Sequence, residues 1–213
     1  PAPAAREMHP LSADEARRLL EAARGDRLEA LYVLAIYTGM RQGELLALKW
    51  EDVDLNGRSL RVRRTLTRKS GDGSYDLGEP KTRKSRRTIR LSGRVVEALR
   101  SHRSRQAEER LRLGGLYRDQ GLVFAGETGS IINPSNLRSR SFGPLLERAG
   151  VPRITFHDLR HTCASLLFQK NVHPKLVQEL LGHASVAITL DTYSHMLPGM
   201  GEEAADAMSE ALG

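Results

Sequence analysis

The stretch LEALYVLAIYTGMRQGELLAL, residues 28–48, decides what kind of fold this chain adopts. From Leu28 to Thr38 it is apolar on nearly every side of a helical projection. It therefore predicts a helix buried all round, with other helices needed to cover it. Gly39 ends that helix, because glycine takes the left-handed conformation at a helix terminus without steric penalty. A short helix is expected next, from Gln42 to Leu48. Upstream, Ser12-Ala-Asp-Glu15 has the spacing of a capping box, and Ala16, Leu19, Leu20 and Ala23 follow on one helical face. Residues 1–11 contain three prolines and little apolar material, which predicts a linker.

Downstream the pattern changes period. Asn56-Gly57 has the composition of a tight hairpin turn, with Val53 before it and Leu60 and Val62 after it. Strands are expected near Ser59–Thr67 and Arg86–Leu91, bracketing a polar, glycine-rich loop. Together these predict one antiparallel sheet of about three strands between Val53 and Leu91. Helical patterning returns at Gly93–Leu113, Pro134–Ala149, His157–Gln169, Pro174–Leu181, Val186–Tyr193 and Glu202–Leu212, and Leu122–Phe124 suggests a short buried extension. The fold class is mainly α with a small antiparallel β-sheet (α+β).

Charge narrows the partners. Lys and Arg number 33 against 26 acidic residues, a net charge of +7, and the excess is concentrated. Between Arg58 and Arg90 lie twelve basic residues and three acidic ones, a density that favours a polyanion nearby. Aromatics make up 5% of the chain and none interleave with this cluster, which suits gripping duplex phosphates better than stacking on single-stranded bases. Arg63, Arg64, Arg83, Lys84, Arg86 and Arg87 are the expected DNA contacts. Cys163 is the single cysteine, so no internal disulfide forms. No apolar run is long enough to span a bilayer, and no membrane partner is expected.

Three segments present groups suited to phosphate chemistry. In Thr38-Gly-Met-Arg41-Gln-Gly-Glu44, an arginine follows a glycine-terminated buried helix, with its fork available to phosphate oxygens and Glu44 able to hold it. A plain surface salt bridge explains the same residues. In His157-Asp-Leu-Arg160-His161, an imidazole and a guanidinium share a helix face. His157 and His161 also have the spacing of a zinc-binding helix. Asp158 stands where that motif has Glu, and Arg160 would set a cation beside the metal, so no metal is expected. In Leu181-Gly-His183, the imidazole follows a helix end, and Tyr193 lies further on in a polar setting. Taken alone, Tyr193 reads as packing.

The order T-G-x-R-x-x-E, H-x-x-R-H, L-G-H and a downstream tyrosine resembles the tyrosine recombinase (phage integrase) family, over most of the chain from Ser12 to His195. Lys81 in Pro80-Lys-Thr-Arg-Lys-Ser-Arg-Arg adds a match to that family's hairpin lysine, with Lys84 as the alternative. The resemblance implies a catalytic domain over residues 12–199 of a DNA-breaking and rejoining enzyme. Arg41 and Arg160 would clamp the scissile phosphate, and His157 and His183 would hydrogen-bond it. Lys81 would protonate the leaving 5′ oxygen, Tyr193 would attack, and Glu44 would support Arg41. It implies a site-specific recombinase or integrase of a phage or other mobile genetic element, cytoplasmic and DNA-associated, with no cofactor, since the phosphotyrosyl link conserves the energy of the broken bond. Residues 1–11 would join a missing N-terminal DNA-binding domain, and the helix in 200–213 would contact a neighbouring protomer. The full-length protein would be a homotetramer on double-stranded DNA, this fragment a monomer. A type IB topoisomerase-like enzyme and a catalytically inactive DNA-binding module are the alternatives.

Overall fold

The computed structural model describes residues 9–71, 73–79, 85–193 and 208–212. Its helices are α1 (Ala13–Ala22), α2 (Glu29–Thr38), α3 (Gln42–Leu46), α4 (Gly93–Leu113), α5 (Pro134–Asn136), α6 (Gly143–Ala149), α7 (Asp158–Phe168), α8 (Pro174–Leu181) and α9 (Val186–Tyr193). Strands β1 (Val53–Asp54), β2 (Ser59–Val62), β3 (Thr65–Arg68), β4 (Tyr75–Gly78) and β5 (Arg87–Arg90) lie between α3 and α4. The architecture is mainly helical with antiparallel sheet, as expected.

Helix α2 is the centre. Its residues from Ala30 to Ile36 are all buried, and it packs against α4 on one side and α7 on another. Burying so many large side chains is the main apolar gain of the fold, at about 1.5–3 kcal/mol for each. Tyr32 adds specificity to this core. Its ring lies 5.9 Å from Phe142, and its hydroxyl meets Ser141 Oγ at 2.6 Å. The expected capping box opens α1: Ser12 Oγ accepts the Glu15 N–H at 3.2 Å, and Glu15 Oε2 accepts the Ser12 N–H at 2.8 Å.

The β region differs from the single sheet expected. There are two sheets, one of order β1-β2-β5 and a separate β3-β4 hairpin. The expected strand Ser59–Thr67 breaks at Arg63 and Arg64, whose guanidiniums turn to Asp52 and, for Arg64, also to Glu51. The glycine-rich loop contains β4, paired with β3 in the register Leu66↔Leu77. In the larger sheet Leu60 pairs with Ile89, and both face the core.

Two helical expectations also change. The Pro134–Ala149 segment is three pieces, with a π-helical turn over Leu137–Phe142 between α5 and α6. Pro144 explains the break: it has no N–H, and its ring collides with the carbonyl four residues earlier unless the helix widens. Leu122–Phe124 forms only an isolated bridge, Lys49↔Leu122, which is stapled to α4 by His102 Nε2 on the Val123 carbonyl at 2.7 Å. Of the C-terminal helix, residues 208–212 are described, and they are helical and exposed. The linker expected at 1–11 falls mostly outside the described residues. No helix among the described residues is long and apolar enough to cross a membrane.

Gly39 closes α2 with φ 60°, and a Cβ there would collide with the Leu181 side chain and approach Cys163 Sγ to 3.4 Å. Gly39→Ala combines a left-handed strain with overpacking, so a loss of about 2 kcal/mol or more is expected. Urea denaturation measures it, and an unchanged midpoint would contradict the close approach.

Candidate active site

The site is built outward from the end of α2. Chain reversal at Gly39 brings Arg41 to the start of α3. There Glu44 accepts the Arg41 backbone N–H at Oε2 (2.9 Å) and the Arg41 guanidinium at Oε1 (3.0 Å). Glu44 is 3% exposed, a burial that a carboxylate tolerates only when paired. The second partner is Arg87 of β5, which forks onto it through Nη1 at 3.2 Å and Nη2 at 3.0 Å. Burial pushes the Glu44 carboxyl up, but the hydrogen bond and charge of Arg87, together with Arg41, more than offset this and leave it below its ordinary value. The side chain of Arg41 remains 39% exposed.

Helix α7 supplies the second group. Asp158 Oδ2 accepts the Thr155 N–H and hydroxyl, each at 2.7 Å, and fixes the start of the helix. Arg160, two residues along, is 2% exposed and donates Nη1 to the Gly39 carbonyl at 2.8 Å. The glycine that ends α2 therefore anchors the second arginine as well as positioning the first. His157 and His161 meet edge to face with ring centroids 4.9 Å apart. Among the described residues no group of three or more His, Cys, Asp or Glu gathers in a form that could hold a metal.

His183 follows Gly182, which closes α8 with φ 69°. Its Nδ1 lies 2.8 Å from Thr189 Oγ1, which ties the turn to α9. Burial lowers the His183 pKa to about 4, helped by the charges of Arg160, Arg41, His161 and Arg87. The His157 pKa is lowered too, first by burial and then by Arg160 and Arg41. For His161, burial and then His157 depress it to about 4. Cys163, beneath Gly39, is pushed up to about 12 by burial.

His157 and His183 thus both lie within the fields of Arg41 and Arg160, and Glu44 holds Arg41. Tyr193 is the last residue of α9, one turn beyond Thr189, and its side chain lies outside the described part. Lys81, Arg83 and Lys84 also lie outside the described residues. Arg63, Arg64 and Arg86 border a cleft of about 740 Å³ between the two sheets, together with Lys49 and Arg61. Arg86 pairs there with Glu79 at 2.6 Å. Arg87 departs from the sequence expectation of a DNA contact. Its side chain is 7% exposed and is occupied by Glu44, the Leu180 carbonyl and the Ser85 carbonyl. The signal lay in the strand period: Arg87 is two residues from core-facing Ile89, so alternation aims it inward, where a guanidinium needs an acid. Thr189 was not foreseen, since its role depends on how α9 docks.

Comparison with known proteins places the chain in a family. The phage integrase family model matches residues 10–199. A tyrosine recombinase XerC-like protein of Caldanaerobacter subterraneus subsp. tengcongensis is 40% identical over 214 residues, covering 96% of this chain and 54% of that protein. The Tn1549 transposon integrase, solved in complex with a circular intermediate DNA, has the same fold with a TM-score of 0.77 at 23% identity, over 100% of this chain and 68% of that one. The XerH site-specific recombinase bound to a palindromic difH substrate, a post-cleavage complex, matches with a TM-score of 0.65 at 26% identity, over 98% of this chain and 56% of that one. The chain belongs to the phage integrase family. It spans about half the length of the curated relatives it matches.

The neutral histidines set a pH dependence. The folded protein keeps His161 and His183 unprotonated down to about pH 4, whereas in the unfolded chain they take up protons below about 6.5. The unfolded state then binds more protons, so stability falls as pH drops from about 6.5 towards 4. The urea midpoint is expected to be lower at pH 5 than at pH 7, with a smaller drop in His161→Asn. An equal drop in that variant would remove His161 from the account.

Proposed function

We propose that this chain is the catalytic domain, residues 12–199, of a site-specific DNA recombinase of the integrase type. One observation carries the reading: beyond the burial that lowers both pKa values, His157 and His183 each lie within the field of both Arg160 and Arg41. Two guanidiniums and two imidazoles share one field, and the nearby buried carboxylate, Glu44, is already engaged by two arginines. Such a site is complementary to an anion that accepts several hydrogen bonds, which describes a phosphodiester and, more strongly, its pentacoordinate transition state. The recombinase names of the relatives support the same conclusion.

The chemistry follows from these groups. The Tyr193 hydroxyl oxygen attacks phosphorus, and its proton passes to a base, for which His157 is the candidate. The P–O5′ bond breaks, and Lys81, or alternatively Lys84, gives the leaving oxygen its proton. The products are a 3′-phosphotyrosyl link and a free 5′ hydroxyl. Attack by a 5′ hydroxyl from another strand reverses the step. Arg41 and Arg160 hold the non-bridging oxygens, and neither ATP nor a metal enters the balance. A free tyrosine, with a pKa of about 10, is a weak nucleophile at neutral pH, so the local positive field also favours its phenolate. Arg63, Arg64 and Arg86 would track duplex phosphates along the cleft between the sheets. Full-length protein would act as a homotetramer on its recombination sites, with residues 200–213 against a neighbour. This chain alone would be a monomer that binds DNA weakly.

A nicked duplex that traps the covalent intermediate tests the assignment. Tyr193→Phe is expected to bind duplex normally and give no adduct, and Arg41→Ala to cut cleavage at least about 100-fold. An undiminished adduct in Tyr193→Phe would overturn the choice of nucleophile. Relaxation of supercoiled plasmid lacking any specific site would point instead to a type IB topoisomerase-like activity.

A further inference from the structure

Arg87 belongs to none of the phosphate-binding groups above, yet its side chain touches the supports of two of them. Its Nη1 and Nη2 fork onto Glu44, which also holds Arg41. Its Nε donates to the Leu180 carbonyl at 2.6 Å, in the last turn of α8. Gly182 follows immediately, and a Cβ on it would meet Arg87 Nη1 at 3.0 Å and Cδ at 3.1 Å. The guanidinium therefore lies close against Gly182, the residue before His183. A strand, the start of α3 and the end of α8 meet on one buried cation.

We infer that Arg87 is a positioning residue for strand cleavage, setting Arg41 through Glu44 and His183 through the Leu180 carbonyl. The inference rests on the recombinase reading above. Its physical basis is competition for Glu44. With Arg87 present, the carboxylate is satisfied bidentately, and Arg41 needs to give it only one guanidinium nitrogen. Without Arg87, a buried carboxylate faces Arg41 alone and draws its fork inward, away from the phosphate. Lysine restores the charge but cannot hold both Glu44 oxygens and the Leu180 carbonyl in one plane. Misplacement by about 1 Å is enough to slow a positioned reaction on the order of 100-fold.

Two variants test this in the full chain, Arg87→Lys and the double substitution Arg87→Met with Glu44→Gln. The second removes both charges of the pair, so the fold survives even if a lone buried carboxylate would not. Urea midpoint, duplex affinity and the single-turnover rate of adduct formation at saturating protein are measured for each. The expected result is a folded protein with duplex affinity within about threefold of the parent and a cleavage rate lower by roughly 10- to 100-fold. A parental rate in Arg87→Lys, or a rate loss in both variants no larger than the loss of folded protein, would overturn the inference. Failure of the parent chain itself to form an adduct would instead count against the recombinase reading, so the two failures are distinct.

Discussion

A single buried carboxylate, Glu44, sets the geometry on which the site depends. Desolvation alone would make it give up its charge. It stays ionised because Arg87 and Arg41 both reach it, one from β5 and the other from the loop after α2. An unpartnered buried ion is far more costly than a paired one, so each arginine is held where the carboxylate is. The β region and the helical body are thereby locked together at the same point that fixes Arg41.

Two glycines complete this arrangement through backbone shape. Gly39 lets α2 stop abruptly, offers its carbonyl to Arg160 and leaves room for Leu181. Gly182 lets α8 stop abruptly and leaves room for Arg87. The contacts form a closed circuit: Arg160 on Gly39, Leu181 over Gly39, Arg87 on the α8 terminus, Glu44 on Arg87, and Arg41 on Glu44. Preorganisation here comes from packing that admits one arrangement, so the cationic side chains are already gathered before a ligand arrives.

The parts legible in the sequence were those governed by short-range rules. The Ser12 cap, the all-round apolar character of α2 and the bounds of α4 and α8 follow from period, caps and propensity. The motif arginines and histidines were legible through their resemblance to a known family. Less legible were features set by contacts distant in sequence. The break in the strand after Val62 depends on where Asp52 lies, and β4 pairs through a segment whose composition suggests only a loop. Arg87 reads as a DNA contact because it stands in the basic cluster between Arg58 and Arg90. The period of β5 pointed inward, but the acid that receives it, Glu44, sits more than forty residues away in sequence.

The neutral histidines described in the site make charge and ligand interchangeable. Burial first, and then the charges of Arg160 and Arg41, keep protons off His157 and His183. A bound phosphodiester, with one negative charge, offsets part of that positive field and so favours a proton on His183. Under the proposed reading, DNA and protons are then mutual effectors: each binds more tightly when the other is present, by the same factor. The domain would take up protons on engaging its site and return them on release, so a mildly acidic buffer would tighten its hold on a duplex without any change in shape.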